Sequence, residues 1–272
     1  MITSNPISLS RLFFCLLVSF AITGCFESRK NTDQLCQKEP GLQCEALNMN
    51  DGQCKIPRTD LIWHRHQTLE QPSEEGMITE YHILKRYQKC LELAAQMRSL
   101  DQKDKESKRF NALMYVIEER TRIEESLVNS RSASTLYFLW SETGNQPARR
   151  QFLALEGTPE LETAEMQYAL ATYYISRDKT KTYELLNRSL ELSKHTTPNK
   201  DAIKALASVS QQLGRHKLSY LWTKVGQGFG IATASESELD RMFALQPEEY
   251  QELDIQAEQI ISTLKEGRYS RQ

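Results

Sequence analysis

The chain has no G-x-S-x-G elbow, no H-E-x-x-H pair and no P-loop. The local signatures of serine hydrolases, zinc proteases and nucleotide hydrolases are therefore missing, and neither a catalytic centre nor a cofactor is expected. Glycine and proline are scarce, 11 and 8 in 272 residues, and no stretch sustains the apolar–polar alternation of a strand. These absences disfavour a sheet-rich fold and point to an all-α one. Basic side chains number 34 against 36 acidic, a formal net charge of −2. That balance lacks the basic footprint that nucleic acid requires, and no polybasic run offers itself to an anionic lipid surface. No apolar run reaches the ~20 residues of a spanning helix.

One short apolar run is present, from Leu12 to Ile22, behind a single basic residue, Arg11, and before Thr23-Gly24-Cys25. A positive start, a short apolar stretch and small residues at the cut form an export signal. A cysteine just after the cut looks like a bacterial lipobox, whose chemistry attaches a diacylglyceryl group to the Cys25 sulfur before cleavage. An uncleaved anchor and a plain secretory leader are the alternatives. On the lipobox reading, residues 1–24 are a signal peptide and 25–35 a lipidated tether, and the acyl chains exceed the two signals needed for stable attachment. Phe26 follows the lipidated position where Asp would retain the chain at the inner membrane. The expected location is therefore the periplasmic leaflet of the outer membrane, with the periplasmic face of the inner membrane as alternative.

An exported chain faces an oxidising space, and four further cysteines remain: Cys36, Cys44, Cys54 and Cys90. An even number favours disulfides, with three possible connectivities. Three of the four lie in a segment rich in Gln, Asn, Gly and Pro, and Cys90 lies in a helical stretch. The favoured pairing is Cys36–Cys44, closing a small loop, and Cys54–Cys90, pinning that segment to the first helix. Zinc is the competing reading, but the spacing is not C-x₂-C.

Residues 36–76 read as mostly irregular and residues 77–272 as helical. The first helix is expected from Met77 to Leu100, with an apolar stripe of Ile83, Tyr87, Cys90, Leu91, Ala94 and Met97. The second, Lys105 to Asn129, has the stripe Phe110, Leu113, Met114, Ile117, Ile123 and Leu127. Its Glu118, Glu119, Glu124 and Glu125 are interleaved with Arg120 and Arg122, the pattern of a solvated face rather than of an acid–base pair. His64-Arg65-His66, the only local histidine pair, is read as structural or surface. Gly226-Gln227-Gly228-Phe229-Gly230 follows a helix rather than a strand, so it reads as a helix stop, not a phosphate loop. Ser235 to Glu238 is a capping-box start, and a last helix runs from Pro247 to Leu264.

Helical units are expected near 132–155, 164–192 and 202–225. In the last two, Leu170-Ala171 and Leu206-Ala207 recur 36 residues apart, each in the first half of a helix–turn–helix unit. The unit Ala164 to Leu192 resembles a tetratricopeptide repeat: Leu170-Ala171 is the large–small pair, Tyr174 lies near the aromatic position, and Thr182 and Ser189 are the small second-helix positions. Leu206, Ala207, Gly214 and Ser219 match in the next unit, with Ser210 where an aromatic is usual. The resemblance implies a stacked, tetratricopeptide-like α-solenoid. Its groove residues would be Glu165, Tyr168, Thr172, Ile175 and Ser176, then Asp201, Lys204, Ser208, Gln211 and Gln212. The stretches Asn48 to Cys54, Ile56 to Arg65 and Phe110 to Tyr115 also resemble a family of uncharacterised lipoproteins of Gram-negative bacteria, which implies a location and an architecture but no activity.

Stacked helix pairs create a concave face whose usual use is binding. The expected function is a lipid-anchored scaffold or adaptor holding a protein or peptide partner, without nucleic acid, metal or cofactor. An envelope enzyme on cell-wall or lipid substrates and a purely structural lipoprotein are the alternatives.

Overall fold

A computed structural model describes residues 31–97, 103–194 and 196–271. The signal peptide, Cys25, Phe26 and most of the tether lie outside the described residues, as does the expected end of the first long helix at Leu100. Among the described residues the fold is all-α, with no strand. Among the described residues no helix is long and apolar enough to cross a membrane. The chain divides after Ile123 into two compact units.

The first unit starts with α1 (Thr32–Lys38), whose N-cap Asn31 accepts from the Asp33 and Gln34 N–H groups. Two 3-10 turns follow, Pro40–Leu42 and Cys44–Ala46. Disulfides join Cys36 to Cys44 and Cys54 to Cys90, as favoured from the sequence. The segment 36–76, expected to be mostly irregular, nevertheless holds the helix α2 (Lys55–Thr68). Its periodicity is concealed because the buried face, Arg58, Leu61, Ile62 and Arg65, is half basic. Helix α3 (Glu74–Ala94) starts at the N-cap Ser73 and packs on α2. Four members of its expected stripe are buried, Ile83, Tyr87, Leu91 and Ala94, whereas Met97 lies beyond the helix and is exposed.

Helix α4 (Lys103–Leu127) corrects the expected stripe. Phe110, Met114 and Ile117 are exposed, Phe110 by 56%. Ile123 and Leu127 are buried as expected, but ahead of them the buried positions are Arg109, Ala112, Val116 and Glu119, the same periodicity in a different phase. Glu119, expected on a solvated face, is buried. Burial of these charges is tolerable only because each is paired. Arg65 donates to Glu80 at 2.7 Å, Glu119 at 3.2 Å, the Tyr115 hydroxyl at 2.8 Å and the Leu42 carbonyl at 3.2 Å. Burial opposes the Arg65 charge, but Glu80 and Tyr115 outweigh it and raise the pKa. A second network surrounds Asp51, whose carboxylate accepts from Arg109, the Asn48 amide and the Gln53 N–H. Those donors, Arg109 foremost, hold Asp51 at about 2 against the opposing effect of burial.

The second unit opens with the hairpin α5 (Ala133–Thr143) and α6 (Gln146–Ala154), turned by Gly144 at φ 72° with Asn145 capping α6. Tyr137, Trp140 and Phe152 interlock between them, and Trp140 reaches Tyr173 on the next helix. Gly157 turns at φ 83° before the 3-10 turn Pro159–Leu161. Two further hairpins follow, α7 (Ala164–Tyr174) with α8 (Lys179–Leu192), and α9 (Lys200–Gln212) with α10 (His216–Gly228). Helix α8 packs on both α7 and α9, so the pairs stack. Small residues sit at the contacts: Thr182 and Ser189 are buried, and the Ser189 hydroxyl donates to the Ala164 carbonyl at 2.6 Å.

Helix α10 continues through Gly226 to Gly228, three residues past the expected end at Val225, with Gly230 in the left-handed region. A Cβ at Gly228 would overlap the Ile261 side chain, so the glycine permits a close helix approach. Helices α11 (Glu236–Phe243) and α12 (Pro247–Lys265) both start with capping boxes. The Tyr220 hydroxyl donates to Asp254 at 2.8 Å, joining α10 to α12. After α12 the Tyr269 hydroxyl donates to Asn187 at 2.6 Å, and the Arg271 N–H donates to Glu191.

Candidate partner-binding surface

The outward faces of α7 and α9 follow from what each helix buries. In α7 the core takes Met166, Gln167, Ala169, Leu170 and Ala171. Glu165, Tyr168, Thr172 and Ile175 are left on the other side by the 3.6-residue period. In α9 the core takes Ala202, Ile203, Leu206, Val209 and Ser210, which leaves Asp201, Lys204, Ser208, Gln211 and Gln212 outward. All ten predicted residues are accessible: Tyr168 and Thr172 are half-buried and the other eight exposed.

They do not form one cluster. Tyr168 and Asp201 are neighbours: burial raises the Tyr168 pKa, and the Asp201 carboxylate and Tyr137 add to it; Glu165 lies one turn before Tyr168 on α7. Lys204 bridges Asp201 one turn along at 3.0 Å. Ile175 and Ser176 lie beyond the last turn of α7. Gln211 and Gln212 lie at the far end of α9, beside His216 and Lys179 respectively. The sequence reading missed Tyr137 on α5. Burial raises its pKa, the neighbouring Thr172 side chain opposes, and Glu165 and Glu142 add. Its only sequence signal is its place on the first helix of the preceding hairpin. The central strip is thus two tyrosines flanked by Glu165 and Asp201, with Lys204 at one side. A half-buried tyrosine pair offers rigid amphipathic area, and hydroxyl and carboxylate oxygens offer hydrogen-bond acceptors.

None of four clefts, of 310 to 520 Å³, is lined by the ten predicted residues. Two in the first unit are built on its charged networks, one beside Arg65, Glu80 and Glu119, the other beside Asp51 and Arg58. His64 and His66 lie two apart on a helix and point away from each other: His64 Nε2 meets the Gly76 carbonyl at 2.9 Å and His66 Nδ1 meets Glu39 at 2.8 Å. Among the described residues no group of three or more His, Cys, Asp or Glu is placed to hold a metal ion.

No curated protein and no solved structure shows significant similarity to the chain. Residues 22–224 match the model of a family described as protein of unknown function, DUF2989. That span takes in the disulfide-linked segment, the charged networks of the first unit and the hairpins from α5 to all but the last residues of α10. By the extent of that match, the chain belongs to the DUF2989 family.

Proposed function

We propose that this protein is a lipid-anchored periplasmic scaffold that holds a protein or peptide partner on the outward faces of α7 and α9. The observation that carries this reading is the accessible strip of Tyr168, Glu165 and Asp201 beside Tyr137 on stacked helical pairs. The C-terminal helix α12 packs on α10, and Lys204 and Ser208 on α9 remain exposed. An open surface with polar acceptors and aromatic anchors suits an extended polypeptide better than a small molecule, which favours an enclosed pocket.

The tetratricopeptide-like character is part of the proposal. It is supported by burial of Leu170, Ala171 and Leu206, by the small Thr182 and Ser189 at the contacts, and by the left-handed Gly214 at a hairpin turn. Anchoring rests on the lipobox residues Ile22-Thr23-Gly24-Cys25, and the outer-membrane assignment on Phe26 after the lipidated cysteine.

Site-specific photocrosslinking in cells tests the reading, with the crosslinker at Tyr168 and Lys204 and a control at Glu184, exposed on α8. A discrete band from the first two positions alone, identified by mass spectrometry, is expected. No band from either, with the protein expressed and lipidated, would overturn the scaffold and favour an enzyme or a spacer.

A further inference from the structure

A cleft of about 520 Å³ opens in the first unit, between the start of α1 and the first turn of α2. Its walls include Asp33 on α1, Asn50 and Asp51 in the preceding loop, and Lys55, Arg58 and Thr59 along one face of α2. The start of α2 is unusual. Its N-cap is Cys54, at φ 57°, which makes no side-chain cap, and its first turn holds no acid. Among the described residues the Lys55 and Ile56 N–H groups have no acceptor, and Pro57 has no N–H to satisfy. The positive end of a helix favours anions; here it carries two cations, Lys55 and Arg58.

Arg58 supplies the second, independent observation. It is only 6% exposed, and one nitrogen, Nη1, makes all its hydrogen bonds, to the Asn48 carbonyl, the Asn48 Oδ1 and the Asp51 carbonyl. Nε and Nη2 have no acceptor among the described residues, and no carboxylate pairs with Arg58. The Asp51 carboxylate is committed to Arg109, Asn48 and Gln53. In the same unit the buried Arg65 and Arg109 both have carboxylate partners. Arg58 alone of the three presents an unfilled guanidinium edge, and it does so in the wall of a cleft.

We infer that this cleft binds a phosphate group, carried by a phospholipid headgroup or by a soluble phosphate. The donors outnumber what one carboxylate accepts: the Arg58 edge, the Lys55 ammonium, the Thr59 hydroxyl and two backbone N–H groups at a helix start. Asp33 in the wall suits an amine on the same ligand, as in an ethanolamine headgroup. Asn31 also lines the cleft, six residues after Cys25, a reach of at most about 20 Å. The lipid source rests on the anchoring proposed above; the phosphate chemistry does not.

The test is calorimetric titration of the purified full chain, in a neutral phosphate-free detergent, with inorganic phosphate and separately with glycerophosphoethanolamine. Saturable binding of at least one is expected, weakened about fivefold or more by Lys55→Glu, where attraction becomes repulsion, and abolished by Arg58→Gln. Glycerophosphoethanolamine binding about tenfold tighter than phosphate assigns a headgroup; equal or weaker binding assigns a soluble phosphate. Arg58→Gln also removes contacts to the loop and can unfold the unit. Lys55 is exposed and has no partner among the described residues, so its variant carries the test in a chain whose thermal unfolding matches the parent. No heat from either titrant, or less than a fivefold loss in Lys55→Glu, would overturn the site whatever crosslinking finds at Tyr168.

Discussion

Arg109 grips the carboxylate of Asp51 with two nitrogens, Nε to Oδ2 at 2.5 Å and Nη2 to Oδ1 at 3.1 Å, across 58 positions of sequence. Both side chains are buried. Arg109 also donates to the Ala94 carbonyl at 3.2 Å, so one guanidinium joins the loop after the first disulfide to the end of α3 and to α4.

Acid should loosen this junction. The folded pKa of Asp51 lies at about 2 against an ordinary 3.8, so its ionised form stabilises the fold. That contribution is complete above about pH 4 and is lost as pH falls through about 2. Its size is about 2 kcal/mol. Urea unfolding at pH 5, 3 and 2 should show the parent losing more stability than Asp51→Asn over that window. Parallel losses would mean the pair is not coupled to folding.

Arg65 is the centre of the other network. Arg65→Ala leaves the buried Glu119 and the largely covered Glu80 without their shared cation, which should cost about 3 kcal/mol or more. Arg122, which contacts Glu119 from an exposed position at 3.0 Å, should matter far less when changed to Ala, by about 0.5 kcal/mol. Chemical denaturation of the two variants gives the ranking, and equal effects would contradict it.

The two disulfides close loops of different length, with separations of 8 and 36 residues. Chain entropy assigns about 2.6 kcal/mol to Cys36–Cys44 and about 3.8 kcal/mol to Cys54–Cys90. Replacing both cysteines of a pair with alanine, one pair at a time, should lower stability in that order. A larger loss from the short loop would point to contacts beyond loop closure.

Ser210 is fully buried on α9 and its hydroxyl has no hydrogen-bond partner among the described residues. An unsatisfied buried hydroxyl costs about 1 kcal/mol or more. Ser210→Ala should therefore raise the thermal midpoint by about 2–4 °C. A fall would imply that the oxygen fills space the methyl cannot.

The second unit was largely legible because its buried faces are apolar and its helix starts carry local signals. Leu170-Ala171, Leu206, Ser235 with Glu238 and Pro247 all took the roles their spacing implied. The outward residues of α7 and α9 were legible by the same periodicity. The first unit was misread where burial falls on charge. Arg58 and Arg65 hid α2, and Arg109 and Glu119 hid the buried face of α4, because each has a partner 7 to 58 residues away. Hydropathy registers such a face as surface. Tyr137 was missed because its place beside Thr172 depends on how α5 meets α7, which no local pattern encodes.

The cysteine pairs neither cross nor nest: Cys36 joins Cys44, then Cys54 joins Cys90. A chain delivered from its N-terminus into an oxidising space presents these thiols in that order. An oxidant that couples each new thiol to the last unpaired one arrives at the native bonds directly, with nothing to reshuffle. On the proposed export route, the consecutive order of these pairs would let a thiol oxidant form both native bonds without an isomerase.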